Sequence, residues 1–120
     1  MTVSYFEEIR KAFQALGCTT AQDWIDVSER PGRPAFAKEL NYNCNDIWGK
    51  VHVRKEGDVY VLVISKDVFN WKDRVKDLSL NSEVVDAAGG LMWVYVKDVG
   101  KLRDDVSFLL NYIRNLKVKK

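Results

Sequence analysis

Apolar residues recur one helical turn apart at Phe6, Ile9, Phe13 and Leu16, which predicts an amphipathic helix over residues 5–16. Ser4 with Glu7 three residues on is a capping box for its start, and Gly17 suits its end. Thr20 is then read as the cap of a second, shorter helix, with Trp24, Ile25 and Ser28 on one face and Arg30-Pro31 as its stop. The period changes to two at Ile47. Ile47, Gly49, Val51 and Val53 alternate with Trp48, Lys50, His52 and Arg54, which predicts a half-buried strand with one polar, basic face. Lys55 to Asp58 makes a hairpin turn. The run from Val59 to Lys66 is apolar on both sides, so it is expected to be a central strand covered on both faces.

The remainder is less periodic. Arg30-Pro31-Gly32-Arg33-Pro34 suits neither a helix interior nor a central strand. Residues 30–46 therefore read as an irregular loop, with one short helical turn between Ala35 and Leu40 and turn chemistry from Asn41 to Asp46. Asp67 to Leu80 is a connection with room for a short helix. Ser82 is read as capping a brief helix that ends at Gly89-Gly90. Leu91 to Lys97 is a third clear strand. Leu102, Val106, Leu109, Ile113 and Leu116 mark a closing helix, with Asp104 and Asp105 near its positive end and Arg114 and Lys117 near its negative end. The expected fold is α+β: one domain over residues 1–120, with a small, mainly antiparallel sheet of three to four strands flanked by N-terminal helices and a C-terminal helix.

Composition changes this picture little. The 120 residues are 47% hydrophobic, enough for a core without a metal or disulfide staple. Cys18 and Cys44 are too few for a disulfide scaffold, and no apolar leader-like run stands near Met1, so both are expected as free thiols in a cytoplasmic protein. The longest apolar run, Val59 to Ile64, is too short to cross a bilayer, and no membrane partner is expected.

Chemistry is sparse. Cys44 and the single histidine, His52, lack any local catalytic signature, and the plain alternative is a half-buried cysteine and a surface histidine. Metal-ligand spacings and phosphate-binding glycine patterns are absent, so neither metal nor cofactor is expected. The acidic pairs Glu7-Glu8 and Asp104-Asp105 sit in first turns, where the helix dipole accounts for them. Asp58 and Lys66 flank the second strand as in metal-dependent nucleases, but Ile64 stands at the second acidic position.

Binding is thus the expectation, with catalysis the weaker one. Trp48, Lys50, His52 and Arg54 on one strand face, with Arg30 and Arg33 in the Pro-Gly loop, combine cations with a ring in the way that suits nucleic acid. A net charge of only +2 counts against a strong electrostatic partner. The alternative is a protein-binding adaptor or inhibitor that uses loop 30–46 and an exposed Trp48 as a hot spot. It competes with the closing helix lying over Trp48. The other three tryptophans, Trp24, Trp71 and Trp93, sit in apolar patterns that suit a core.

The C-terminal third adds a resemblance. Gly90 to Val96 with Trp93, then Leu102-Arg103-Asp104-Asp105-Val106, then Leu109-Leu110 and Ile113, is similar to the end of YjbR-like (double-wing) proteins. The resemblance implies a leading helix, antiparallel strands and a closing helix, and it points towards DNA binding. It brings no catalytic residues. The second N-terminal helix and the long loop read here depart from that family.

Overall fold

The computed structural model describes residues 5–26, 36–54, 57–65 and 70–118. The elements run α1 (Tyr5–Gln14), β1 (Thr19–Thr20), β2 (Ile25–Asp26), β3 (Phe36–Asn43), β4 (Ile47–Arg54), β5 (Val59–Ser65), α2 (Trp71–Arg74), β6 (Glu83–Ala88), β7 (Leu91–Val96) and α3 (Leu102–Val118). Every strand pairing is antiparallel. The sheet path is β1-β3-β4-β5-β7-β6, and β2 also pairs with β3, which makes seven strands among the described residues. The α+β class is as expected, but the sheet is larger than three to four strands.

Alternation decides which residues the sheet buries. Ile47, Val51, Val53, Val59, Val61, Val63, Met92, Val94 and Val96 form one face of the core with Ile9 and Phe13 of α1 and Leu102, Val106, Leu109 and Ile113 of α3. Trp71 of α2 is fully buried in the same core. All three described helices therefore pack on a single face.

Four expectations need correction. The second helix does not form: Thr20 pairs with Tyr42 and Ile25 with Glu39, so this stretch supplies two short edge strands. Ser28, Ser4 and the loop carrying Arg30 and Arg33 lie outside the described residues. From Phe36 to Asn43 the expected loop and helical turn are replaced by the long strand β3, with Leu40 and Tyr42 inward and Asn41 and Asn43 outward. The turn chemistry is confined to Cys44–Asp46, where Asn45 takes a positive φ of 70° and its N–H donates to Asn43 Oδ1. Ser82 caps no helix; it precedes β6. The central strand β5 is buried on one face only, and Tyr60, Leu62 and Ile64 on the other are partly exposed.

The cysteines are a further correction. Cys18 and Cys44 form a disulfide, both are buried, and no free thiol is present among the described residues. They flank the Thr19↔Asn43 pair, so the bond closes the end of the β1–β3 ladder and ties α1 to the sheet.

Gly49 explains how β3, β4 and β5 fit so closely. Its φ is 155°, and an added Cβ would run into the backbone carbonyl of Leu62. The space is used by Tyr42, its cross-strand partner, whose ring stacks on Phe13 at 4.3 Å and whose hydroxyl donates to the Leu62 carbonyl at 2.9 Å. Burial pushes the Tyr42 phenol well above its ordinary pKa of 10. The unfolded chain therefore ionises near pH 10 while the folded chain does not, so this stabilisation is complete below pH 10 and lost as pH rises beyond it. Tyr42→Phe should cost about 1 kcal/mol at neutral pH through the lost hydrogen bond. Above pH 10 the deficit should shrink by up to about 1.4 kcal/mol per unit until the variant overtakes the native chain. Parallel urea titrations at pH 8 and pH 11 check this, and a deficit independent of pH contradicts it.

Candidate functional site: the open face of the sheet

The face turned away from the helices is set by register. Trp48, Ile64, Leu91 and Ala88 lie side by side across β4, β5, β7 and β6. Lys50, Leu62, Trp93 and Asp86 form the next row, and His52, Tyr60, Tyr95 and Glu83 the one after. The middle of the face is thus apolar and aromatic. Of these four strands, β4 carries cations, with Glu39 of β3 beside them, and the edge strand β6 carries acids.

Trp48 is 37% exposed and Leu91 38%, the two ends of an apolar row bridged by Ile64. The expected alternative for Trp48, cover from the closing helix, does not hold, because α3 packs against Val61, Val63 and Val94 on the opposite face. Beside Trp48 lies an open groove of about 400 Å³, bounded by Thr19, Thr20, Asn41 and Asn43. Trp93 also departs from expectation. It stands on the open face, half-buried, with its ring 5.3 Å from that of His52. Trp24 is half-buried against Phe6 at 5.0 Å.

The strand places Trp48, Lys50, His52 and Arg54 on one face as the alternation implies, yet the four differ. His52 is not a surface residue; it is 8% exposed, and its Nε2 lies 2.9 Å from Glu39 Oε1. Lys50 Nζ lies 3.7 Å from the other oxygen of the same carboxylate. Glu39, on β3 directly across from His52, therefore neutralises much of the basic character seen in the sequence. Arg54 is partly buried at the end of β4. Arg30 and Arg33 are outside the described residues.

Glu39 was missed because it falls in a segment read as loop. Tyr60 and Leu62 are missed because the apolar run 59–66 reads as covered on both faces, and Trp93 because its apolar pattern suits a core. Tyr95 donates its hydroxyl to Asp58 Oδ1 at 3.3 Å, and the Asp58 charge holds the phenol above its usual range.

Catalytic alternatives find little here. With both sulfurs in a disulfide, Cys44 offers no thiolate to pair with His52. Among the described residues no group of three metal-ligating side chains converges, and no helix is long and apolar enough to cross a membrane. No family model, no curated protein and no solved structure matches the chain.

Proposed function

We propose that the protein is a non-catalytic binding module that docks a protein partner on the open face of its sheet. The observation that carries this is the exposed apolar row Trp48–Ile64–Leu91, backed by Leu62 and Trp93 in the next row. A row of large apolar side chains on a solvated sheet face has a cost in water that burial against a partner removes. Tryptophan is among the residue types most enriched where a few side chains dominate interface energy. The disulfide supports a working compartment that keeps thiols oxidised, in place of the cytoplasm expected from sequence.

Trp48→Ala tests the reading. Its side chain lies outside the helix-covered core, so the melting temperature should stay within about 3 °C of the native value. Binding to a partner captured on the immobilised chain should fall about a hundredfold. A large drop in melting temperature, or unchanged binding, would count against the docking role.

Single-stranded nucleic acid is the second reading. It is favoured by the exposed Lys50 among the rings of Trp48, Tyr60 and Trp93, an arrangement suited to base stacking with a phosphate contact. The resemblance of the C-terminal third to double-wing proteins points the same way. The Glu39 carboxylate beside Lys50 and His52 weakens it. Anisotropy titration with a labelled oligonucleotide at two salt concentrations separates the readings: affinity that drops steeply with salt supports nucleic acid, and no binding at low salt removes it.

A further inference from the structure

We propose that the partner of the open face is a second copy of this chain, seated by a two-fold axis that runs parallel to the strands between β5 and β7. The inference rests on the docking reading above and names its occupant. The face is self-complementary under that one operation. It exchanges β5 with β7 and β4 with β6, and it keeps each cross-strand row level with itself.

The consequences can be followed row by row. In the row Lys50–Leu62–Trp93–Asp86, Leu62 meets the partner's Trp93, and Lys50 meets the partner's Asp86. In the neighbouring row, Ile64 meets the partner's Leu91, while the exposed Trp48 projects over the partner's Ala88, a large side chain above a small one. An axis perpendicular to the strands would instead stack β4 on β4 and bring Lys50 and Arg54 of the two copies together. The charge pattern therefore selects one of the two face-to-face arrangements.

The geometry tolerates the twist of real sheets. Stacked sheets sit about 10 Å apart and cross at about 30°. Lys50 and Asp86 each lie one and a half strand spacings from the axis, about 7 Å, so the crossing displaces them by about 4 Å, within reach of a lysine side chain. Lys50 has three donors, so its existing contact with Glu39 does not block a second carboxylate. Asp86 is exposed. The patch is about 20 Å on a side, at the small end for a stable dimer, so pairing is expected at tens of micromolar and above.

Sedimentation velocity of the full chain, from about 5 to about 200 µM, reads the association directly. The native chain should move from monomer to dimer. Lys50→Glu and Asp86→Lys should each weaken pairing about tenfold or more, and the double variant should regain most of it, because the swap restores both symmetric contacts. Asp86→Lys alone keeps the test sound if Lys50→Glu, placed beside Glu39, fails to fold. Loss with each single variant and recovery in the double supports the proposal. A dimer indifferent to Asp86→Lys, or not recovered in the double variant, overturns it. A chain that is monomeric at the highest concentration yet still binds a different protein through Trp48 overturns self-pairing alone; a monomer that binds no protein overturns the docking reading as well.

Discussion

Opening the Cys18–Cys44 disulfide should lower the unfolding free energy by about 3–4 kcal/mol, the entropy that a closed loop of this length removes from the unfolded chain. The two cysteines are 26 residues apart, and the loop they close holds β1, β2 and all of β3. β1 and β2 are two residues each, so their ladders to β3 contribute few hydrogen bonds of their own. The covalent bond is what keeps this edge and the end of α1 seated on the sheet. In melting temperature the loss should amount to about 10–15 °C in a chain of this size. A reductant alone leaves both sulfur atoms in the core, whereas replacing both cysteines by alanine also removes their buried packing. The double alanine variant should therefore melt slightly below the reduced native chain. A reductant that moves the melting temperature by less than about 2 °C would show that the loop is held by the sheet alone.

What could be read in advance follows a physical division. α1, β4 and α3 are legible because each presents an apolar period, and β5 and β7 because each is a continuous apolar run, which marks a strand without showing which face is covered. The strands that were missed each break that signal. β3 carries Asn41 and Asn43 on its solvated side, residues that read as turn formers when the alternating Leu40 and Tyr42 are overlooked. β6 contains a bulge between Val84 and Asp86, which shifts the inward face by one residue and hides the alternation. β1 and β2 are too short to have a period at all. The disulfide depended on those missed strands, since only the Thr19↔Asn43 pairing brings residues 18 and 44 together.

The candidate face was half legible. Alternation placed Trp48, Lys50, His52 and Arg54 together. It could not show that α3 packs on the far side, that Glu39 comes alongside from β3, or that Trp93 joins them from β7. Each of those is a long-range pairing, and no local pattern encodes it.

Asp105→Ala should destabilise the fold by about 3–5 kcal/mol, although its neighbour Asp104 should be nearly silent. The sequence treats the two alike, as acids in the first turn of α3. The structure separates them: Asp104 is exposed, and Asp105 is 4% exposed. One Asp105 oxygen accepts from the Asn81 backbone N–H at 2.7 Å and from the Asn81 side-chain amide at 3.1 Å. The other accepts from the Ser82 N–H at 3.0 Å and from its hydroxyl at 2.6 Å. Four donors from the segment that leads into β6 thus converge on one carboxylate of α3. Removing it strands the two buried Ser82 donors, each worth about 1–3 kcal/mol when unsatisfied, and frees the more exposed Asn81 pair to water. Asp105→Asn keeps the shape but turns an amide nitrogen towards one pair of donors, so it should recover little of the loss. Asp104→Ala forfeits only a dipole contribution, under about 1 kcal/mol. Urea unfolding of the three variants distinguishes a clamp from a helix-end charge. Equal losses at positions 104 and 105 would mean that the charge alone matters; a loss confined to position 105 would mean that α3 holds β6 in place through this carboxylate, and with it the acidic edge of the open face.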